Sequence, residues 1–311
     1  MSSSWGIDEM PDQSGRTVVV TGANSGLGFE ATHAFAQKGA TVVMACRDRS
    51  RAESARDEIR ASVDDPSLSV LELDLASLDS VRSFAETFSA EYDELHVLCN
   101  NAGLMAIPRR ETEDGFEMQF GVNHLGHFAL TGLLLDVLCE TDGESRVVTQ
   151  SSGLHENGEM AFDDLHSEAS YDKWDAYAQS KLANLLFAYE LDRRLRAVDA
   201  SVTSVGCHPG YADTDLQRRG PEMAGSRLRL VGMKIANTLV AQPAGQGTLP
   251  MLYAATADEV AGGEYVGPGG FMNMRGAPTV QSSSARSTDE AAAARLWDVS
   301  AELTGVTFGL K

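Results

Sequence analysis

Lysine is almost missing from this sequence, with five positions in 311. Lysines and arginines together number 25 against 45 aspartates and glutamates, giving a formal charge of -20 and a pI near 4.6. So negative a field repels a phosphate backbone and argues against nucleic acid as a partner. The acids are scattered and not gathered in a tail, which suits a solvated face; the balance fits a high-salt cytoplasm, where the repulsion is screened. Cysteine is scarce too. Cys46, Cys99, Cys139 and Cys207 share no short paired spacing, so buried thiols are expected in place of disulfides or a zinc site. No run approaches the roughly 18 apolar residues that span a bilayer, and the opening MSSSWGIDEMPDQSG lacks the basic and apolar parts of a signal peptide. The expectation is a cytoplasmic protein with no membrane partner. Nor is there a proline-rich or low-complexity linker. One domain over 15–311, after a short extension at 1–14, accounts for the length.

What is present is an alternation of apolar strand runs with helix-length segments. TVVVTG leads to a helix over about 29–38, then TVVMAC; a helix over about 49–62 leads to SVLELDL; one over about 78–91 leads to LHVLCNN. A long helix over about 113–139 precedes SRVVTQSS, and another over about 175–196 precedes VTSVGCHPG. Apolar strands joined by helical crossovers predict a doubly wound α/β fold, a parallel sheet covered on both faces in three layers. Two loops are long, 153–174 and 210–242. The second mixes arginines with leucine, valine and methionine, as a substrate lid would, although an amphipathic segment packed on the body has the same pattern. The tail beyond Gly267 is rich in glycine, serine and alanine and ends in a predicted short helix over 288–301.

The first strand runs into TGANSGLG, with glycines at 22, 26 and 28. After a strand, Gly22 permits a tight turn, Gly26 lets backbone approach a pyrophosphate, and Gly28 allows close packing where the helix begins. The helix N-terminus then receives phosphate charge. Where an NAD site places an acid at the end of the second strand, this chain has Ala45 and Cys46, followed by Arg47. A guanidinium there suits the 2'-phosphate of NADP(H), so NAD(H) is the lesser expectation. A solvated loop arginine is the competing reading, with Arg49 and Arg51 close by. Asp48 is open between a ribose contact and an arginine partner. Asp74 is open between a cap for the next turn and an acceptor for the adenine amino group. Asn101, Ala102 and Gly103 are small enough to leave room for a cofactor across the sheet edge.

Tyr177 and Lys181 stand one turn apart on one helix face. A nearby ammonium favours a phenolate, and an accessible tyrosine can exchange a proton with an alkoxide. Ser152, at the end of SRVVTQSS, is placed to hold a carbonyl, and Asn123 to hold a water chain toward Lys181. Together these motifs resemble the short-chain dehydrogenase/reductase family. They are TGANSGLG at 21–28, NNAG at 100–103, the Asn of FGVNHLGHF at 123, SS at 151–152, YAQSK at 177–181 and HPGYADT at 208–214, in family order over about two-thirds of the chain. ACRD at 45–48, VNHLGHF at 122–128, YAQSKLAN at 177–184 and AFDDL at 161–165 are similar to the group of retinol dehydrogenases and WW-domain-containing oxidoreductases. Protochlorophyllide reductases are further relatives.

The resemblance implies hydride transfer between NADP(H) and a small-molecule alcohol or carbonyl, without a metal. It implies a tetrad of Asn123, Ser152, Tyr177 and Lys181. Tyr177 is then the general acid in reduction and general base in oxidation. Lys181 lowers its pKa and binds the nicotinamide ribose, and Ser152, not its neighbour Ser151, polarises the carbonyl. Cofactor contacts fall on Gly22, Asn24, Ser25, Gly26, Leu27 and Gly28 at the turn, and on Arg47, Asp74 and Leu75 toward the adenosine. The rest fall on Asn101, Ala102 and Gly103, on Tyr177 and Lys181, and on Pro209, Gly210 and Thr214. His124 and His127 share a helix side without a third ligand nearby, so packing is expected of them. His155 is open between pocket and loop, and His208 is expected to fill space before Pro209. Two other functions compete. One is a non-catalytic NADP-binding redox sensor, against which stands the filled set of catalytic positions. The other is an extended sugar epimerase, for which too few residues follow Tyr177. Relatives commonly pair through the two long helices, so a homo-oligomer is a further expectation.

Overall fold

The structure, a computed structural model, describes residues 5–210 and 243–310. Positions 211–242 of the expected lid, Thr214 among them, lie outside the described residues. Five β-branched-rich segments form the middle of one sheet: β1 (Thr17–Thr21), β2 (Thr41–Cys46), β4 (Val97–Asn100), β5 (Ser145–Gln150) and β6 (Val202–Cys207). Sheet order is β3-β2-β1-β4-β5-β6-β7-β8, with β3 at Leu68–Glu72, β7 at Tyr265–Pro268 and β8 at Pro278–Gln281. Pairings from β3 through β7 are parallel, and β8 runs antiparallel to β7. The expected parallel sheet is therefore mixed at one edge. A hairpin needs no crossover helix, so the helical rhythm that marked the other strands is missing from this last pair.

Helices cover both faces. On one lie α1 (Gly26–Gln37), α2 (Arg49–Arg60) and α6 (Leu249–Thr256), packed on Val18, Val20, Val42, Met44, Val205 and Val266. On the other lie α3 (Leu78–Glu91), α4 (Met118–Glu140), α5 (Lys173–Ala197) and α7 (Glu290–Thr304), packed on Val19, Val43, Leu98 and Val147. Polar side chains fix the helix starts. Asp48 accepts from Arg51 N at 3.0 Å, which settles its role as the cap of α2. Ser77 caps α3, and Asp172 caps α5 through Trp174 N at 2.7 Å. By length and composition α4 could cross a membrane, yet 72% of its apolar window is buried here, as befits a central core helix.

Two departures from the sequence reading have local causes, and the structure answers one point the sequence left open, whether the tail helix packs on its own chain or on a neighbour. The long helix starts at Met118 and not near 113, because Gly115 takes a positive φ of 83° and Glu117 caps the helix through Gln119 N and Phe120 N. Inside it, Gly121–Leu125 forms a π turn carrying Asn123. The strands end two or three residues early, at Glu72, Gln150 and Cys207, where the chain leaves the sheet to line a cavity. Finally, α7 packs on its own chain. Trp297 lies 5.2 Å from Phe128 and 5.9 Å from Phe187 between ring centroids, and Phe308 beyond it lies tilted against Phe128 at 4.9 Å.

Candidate active site

The C-terminal strand ends open on one cavity of about 1210 Å³. Ligands of doubly wound sheets bind at such strand ends. At its dinucleotide side the β1–α1 turn folds as its glycines predict. Gly22 and Gly26 adopt φ of 67° and 54°. A Cβ on Gly28 would stand 2.3 Å from the Gly22 carbonyl oxygen and 2.7 Å from the Asn101 amide nitrogen, so the helix start fits only a glycine. Thr21 ties this turn to the end of β4. Its Oγ1 accepts from Asn101 N and Ala102 N, both at 2.9 Å, while Asn101 Nδ2 donates to Thr21 O at 2.8 Å.

Arg47 lines the cavity just beyond β2, with its side chain 67% exposed and Nε 4.0 Å from Asp74 Oδ2. Asp74 turns its other oxygen to Ala76 N at 3.0 Å, holding a local turn, while Ser77 does the capping of α3. From β2 to β5 the sheet crosses three strand spacings, about 14 Å. Arg47 and the groups at the end of β5 thus stand on strands about 14 Å apart along one sheet edge. Glycines that admit no side chain, a helix N-terminus, an exposed guanidinium and one cavity lined from Arg47 to Tyr177 together fit a nicotinamide dinucleotide.

At the far side stand Ser152, Tyr177 and Lys181. Ser151 Oγ donates to Lys181 O at 2.7 Å, anchoring α5 on the end of β5, so of the two serines that line the cavity Ser151 has its hydroxyl proton committed to the backbone. Lys181 Nζ donates to Gln150 O at 3.0 Å and sits 5.8 Å from the Tyr177 ring centroid. Burial pushes the Tyr177 phenol up to about 12, against the pull of the Ser152 side chain beside it. Burial also draws Lys181 down to about 8. In the protein alone, burial and the Ser152 side chain, and not Lys181, set the direction of the Tyr177 shift. Asn123 is fully buried behind this pair and does not line the cavity. Its Oδ1 accepts from Leu104 N at 2.7 Å, and Nδ2 donates to Leu104 O and Ser180 Oγ, both at 2.9 Å. A Cβ on Gly103 would stand 3.0 Å from Asn123 Oδ1 and 3.6 Å from Lys181 Nζ, so these two groups border one small space.

The expected cavity residues Gly22, Asn24 to Gly28, Arg47, Asp74, Leu75, Asn101 to Gly103, Pro209 and Gly210 all line it. The histidines divide. His124 is caged by Phe120, Phe128 and Phe187 and shares a 2.8 Å hydrogen bond with Ser300 Oγ, while His127 bonds Thr21 Oγ1 at 2.9 Å. Both have packing roles. His155 and His208 line the cavity, and His208 stacks on Tyr265 at 5.1 Å. Sequence reasoning missed much of the apolar wall: Leu104, Met105, Leu154, Trp174, Met272 and Met274. None sits in a motif. The only available signal was proximity in sequence to NNAG, to SS and to the start of α5, and Met272 and Met274 lacked even that.

The chain resembles known proteins along nearly its whole length. Residues 16–224 match the family model described as short chain dehydrogenase. Retinol dehydrogenase 14 of Mus musculus is 42% identical over 306 residues, covering 94% of this chain and 86% of that protein. The crystal structure of an uncharacterised protein from Mycobacterium paratuberculosis is 40% identical, with a TM-score of 0.81 over 99% of this chain and 100% of its own. A Shigella flexneri short chain dehydrogenase complexed with NADP shares the fold at 21% identity, with a TM-score of 0.62 over 82% of this chain and 98% of that one. The chain therefore belongs to the short-chain dehydrogenase family and is an NAD(P)-dependent oxidoreductase.

Proposed function

We propose that this enzyme is an NADP(H)-preferring alcohol dehydrogenase or carbonyl reductase for bulky apolar substrates. The observation that carries the reading is the single cavity joining Arg47 to Ser152, Tyr177 and Lys181. Gly22, Asn24, Ser25, Gly26, Leu27 and Gly28 would hold the pyrophosphate. Arg47 would hold the 2'-phosphate, and Asp74 and Leu75 would flank the adenine. Lys181 would bind the nicotinamide ribose, beside Pro209, Gly210 and Asn101 to Gly103. Bound there, the nicotinamide supplies or accepts a hydride at the substrate carbon. Tyr177 gives its proton to the carbonyl oxygen in reduction and takes it back in oxidation. Ser152 donates to the same oxygen. The Lys181 ammonium stabilises the phenolate that remains, and Asn123 holds a relay toward it through the space beside Gly103. Thr214 is assigned a cofactor contact by its place in HPGYADT alone.

The apolar side chains of Leu104, Met105, Leu154, Trp174, Met272 and Met274 support an apolar substrate, as does the name retinol dehydrogenase borne by relatives. Reduction of retinal, decanal and benzaldehyde by NADPH, in the native enzyme and in Tyr177→Phe, is the test. We expect turnover favouring the bulkier carbonyls and its loss by at least about a hundredfold in the variant, with NADPH binding kept. Binding kept with no turnover of any carbonyl by the native protein would favour the redox-sensor reading instead.

Since α7 and Phe308 cover the α4 and α5 faces, we also propose that the chain does not pair through those helices.

A further inference from the structure

His155 lies at the cavity wall three residues past Ser152 and is buried. A histidine in such a place invites an acid–base role. Its hydrogen bonds remove that role. Nε2 lies 3.1 Å from the backbone nitrogen of Ser284, and a backbone N–H only donates, so Nε2 is the acceptor. The ring proton therefore sits on Nδ1, which donates to the Ser152 carbonyl oxygen at 2.7 Å. Both nitrogens are committed and neither is left for substrate. Burial holds the imidazole pKa below its usual range, in keeping with a neutral ring. Tyr265 meets the ring edge-on at 5.4 Å.

Ser284 is itself anchored. Tyr189 of α5 donates to Ser283 Oγ at 2.8 Å, Ser287 Oγ donates to the Ser284 carbonyl at 2.6 Å, and Arg286 donates to the carbonyl of Gly158 at 3.2 Å. The segment after β8 is thus latched to the turn that carries Ser152, across a separation of 129 residues. Ser152 starts that turn in an extended conformation, φ -154° and ψ 154°, with its Oγ accepting from Leu154 N at 3.2 Å. Its carbonyl accepts from both the ring and the backbone nitrogen of His155. Fixing that carbonyl fixes the peptide plane after Ser152 and so the course of the turn, which keeps Leu154 N where it can hold the Ser152 Oγ at 3.2 Å.

We propose that His155 is a positioning residue for Ser152 and that the 283–287 segment sets its tautomer. The proposal rests on the role given to Ser152 above. A double-mutant cycle tests it, using the fastest carbonyl of the same panel with NADPH. His155→Gln offers an acceptor to Ser284 N but nothing to the Ser152 carbonyl, whereas the amide nitrogen of His155→Asn lies where Nδ1 lay. Losing the ring's bond to the Ser152 carbonyl, with the backbone bond of residue 155 kept, lowers kcat roughly tenfold, with KM and NADPH affinity held. The Asn variant recovers most of that loss, and in a Ser152→Ala background the Gln change adds no further loss. Equal impairment by Asn and Gln, an effect confined to KM, or full additivity with Ser152→Ala overturns the proposal. If Ser152→Ala alone leaves kcat unchanged, the role of Ser152 itself fails, which the cycle reports separately. Nitrogen-detected NMR of the native protein is independent of turnover and of how the variants fold. It should show His155 neutral and protonated at Nδ1 at neutral pH, and an Nε2–H tautomer refutes the proposal.

Discussion

Removing the Arg47 guanidinium tests cofactor choice at its source. The side chain is 67% exposed, and its nearest acid, Asp74, is 4.0 Å away. So loose and wet a pair contributes under about 1 kcal/mol. The guanidinium is accordingly available to a ligand, and Arg47→Ala should leave folding stability within about 0.5 kcal/mol of native. Charge-assisted bonds to a phosphate are worth about 1.5–3 kcal/mol, and exposure places this site in the lower half of that range. A loss of about 1.5–2 kcal/mol raises the NADPH Kd roughly 10- to 30-fold. NADH has no 2'-phosphate and should bind as before. Arg49 gives little compensation because Glu53 holds its Nε at 3.0 Å. Arg51 also lines the cavity, so its removal together with Arg47 should widen the loss. Fluorescence titration with both cofactors, at several matched salt concentrations, measures the effect. Salt should weaken NADPH binding in the native protein more than NADH binding, and Arg47→Ala should shrink that difference. An unchanged NADPH-to-NADH ratio in the variant would refute the reasoning and return Arg47 to the solvated surface.

Trp297→Ala should destabilise the fold by about 3–5 kcal/mol, read from urea denaturation, because the ring packs against Phe128, Phe187 and Phe308 and carries Arg194 over its face at 4.4 Å. Near-native stability would mean that α7 is not an integral part of the core. Acid should weaken the protein between pH 6.5 and about 3. Burial lowers His124 to about 3 and His127 and His208 to about 4, so the unfolded chain binds more protons across that window. Their stabilising contribution is complete above pH 6.5 and is lost as pH falls, each histidine steepening the slope by up to about 1.4 kcal/mol per pH unit. Denaturation series at fixed ionic strength should show uptake of protons on unfolding, and a flat profile contradicts the neutral burial of these rings. Light scattering should give no dimer that an α4 or α5 surface substitution dissolves.

The sequence told most where local chemistry and periodicity coincide. TGANSGLG announced its turn because strand, glycines and helix start lie within a dozen residues. Tyr177 and Lys181 were readable because a helix turn links them without help from distant chain. Motif order was also enough to gather Ser152, Gly103 and Pro209 at one cavity. Other features depended on contacts between residues far apart. The role of Asp48 turned on whether its carboxylate met a helix N–H, and a sequence displays both options equally. The rise of the Tyr177 pKa is a matter of burial, which the Tyr-x-x-x-Lys spacing does not encode. β7 and β8 escaped notice because YVGP and PTVQ are only four residues each and contain proline, and β8 forms the sheet edge. The latch from Ser284 to His155 left no periodic trace at all.

The position of α7 in the chain also has a consequence for synthesis. The face of α4 and α5 that it covers holds Phe128 and Phe187, and about ninety residues separate the end of α5 from the start of α7. At translation rates of ~5–20 residues per second, that aromatic face stands uncovered on the ribosome for on the order of 5–20 s. The strands of the sheet emerge before the side chains that close its far layer. During that interval the nascent chain presents a chaperone with a ready hydrophobic target, and a stalled or truncated product keeps presenting it.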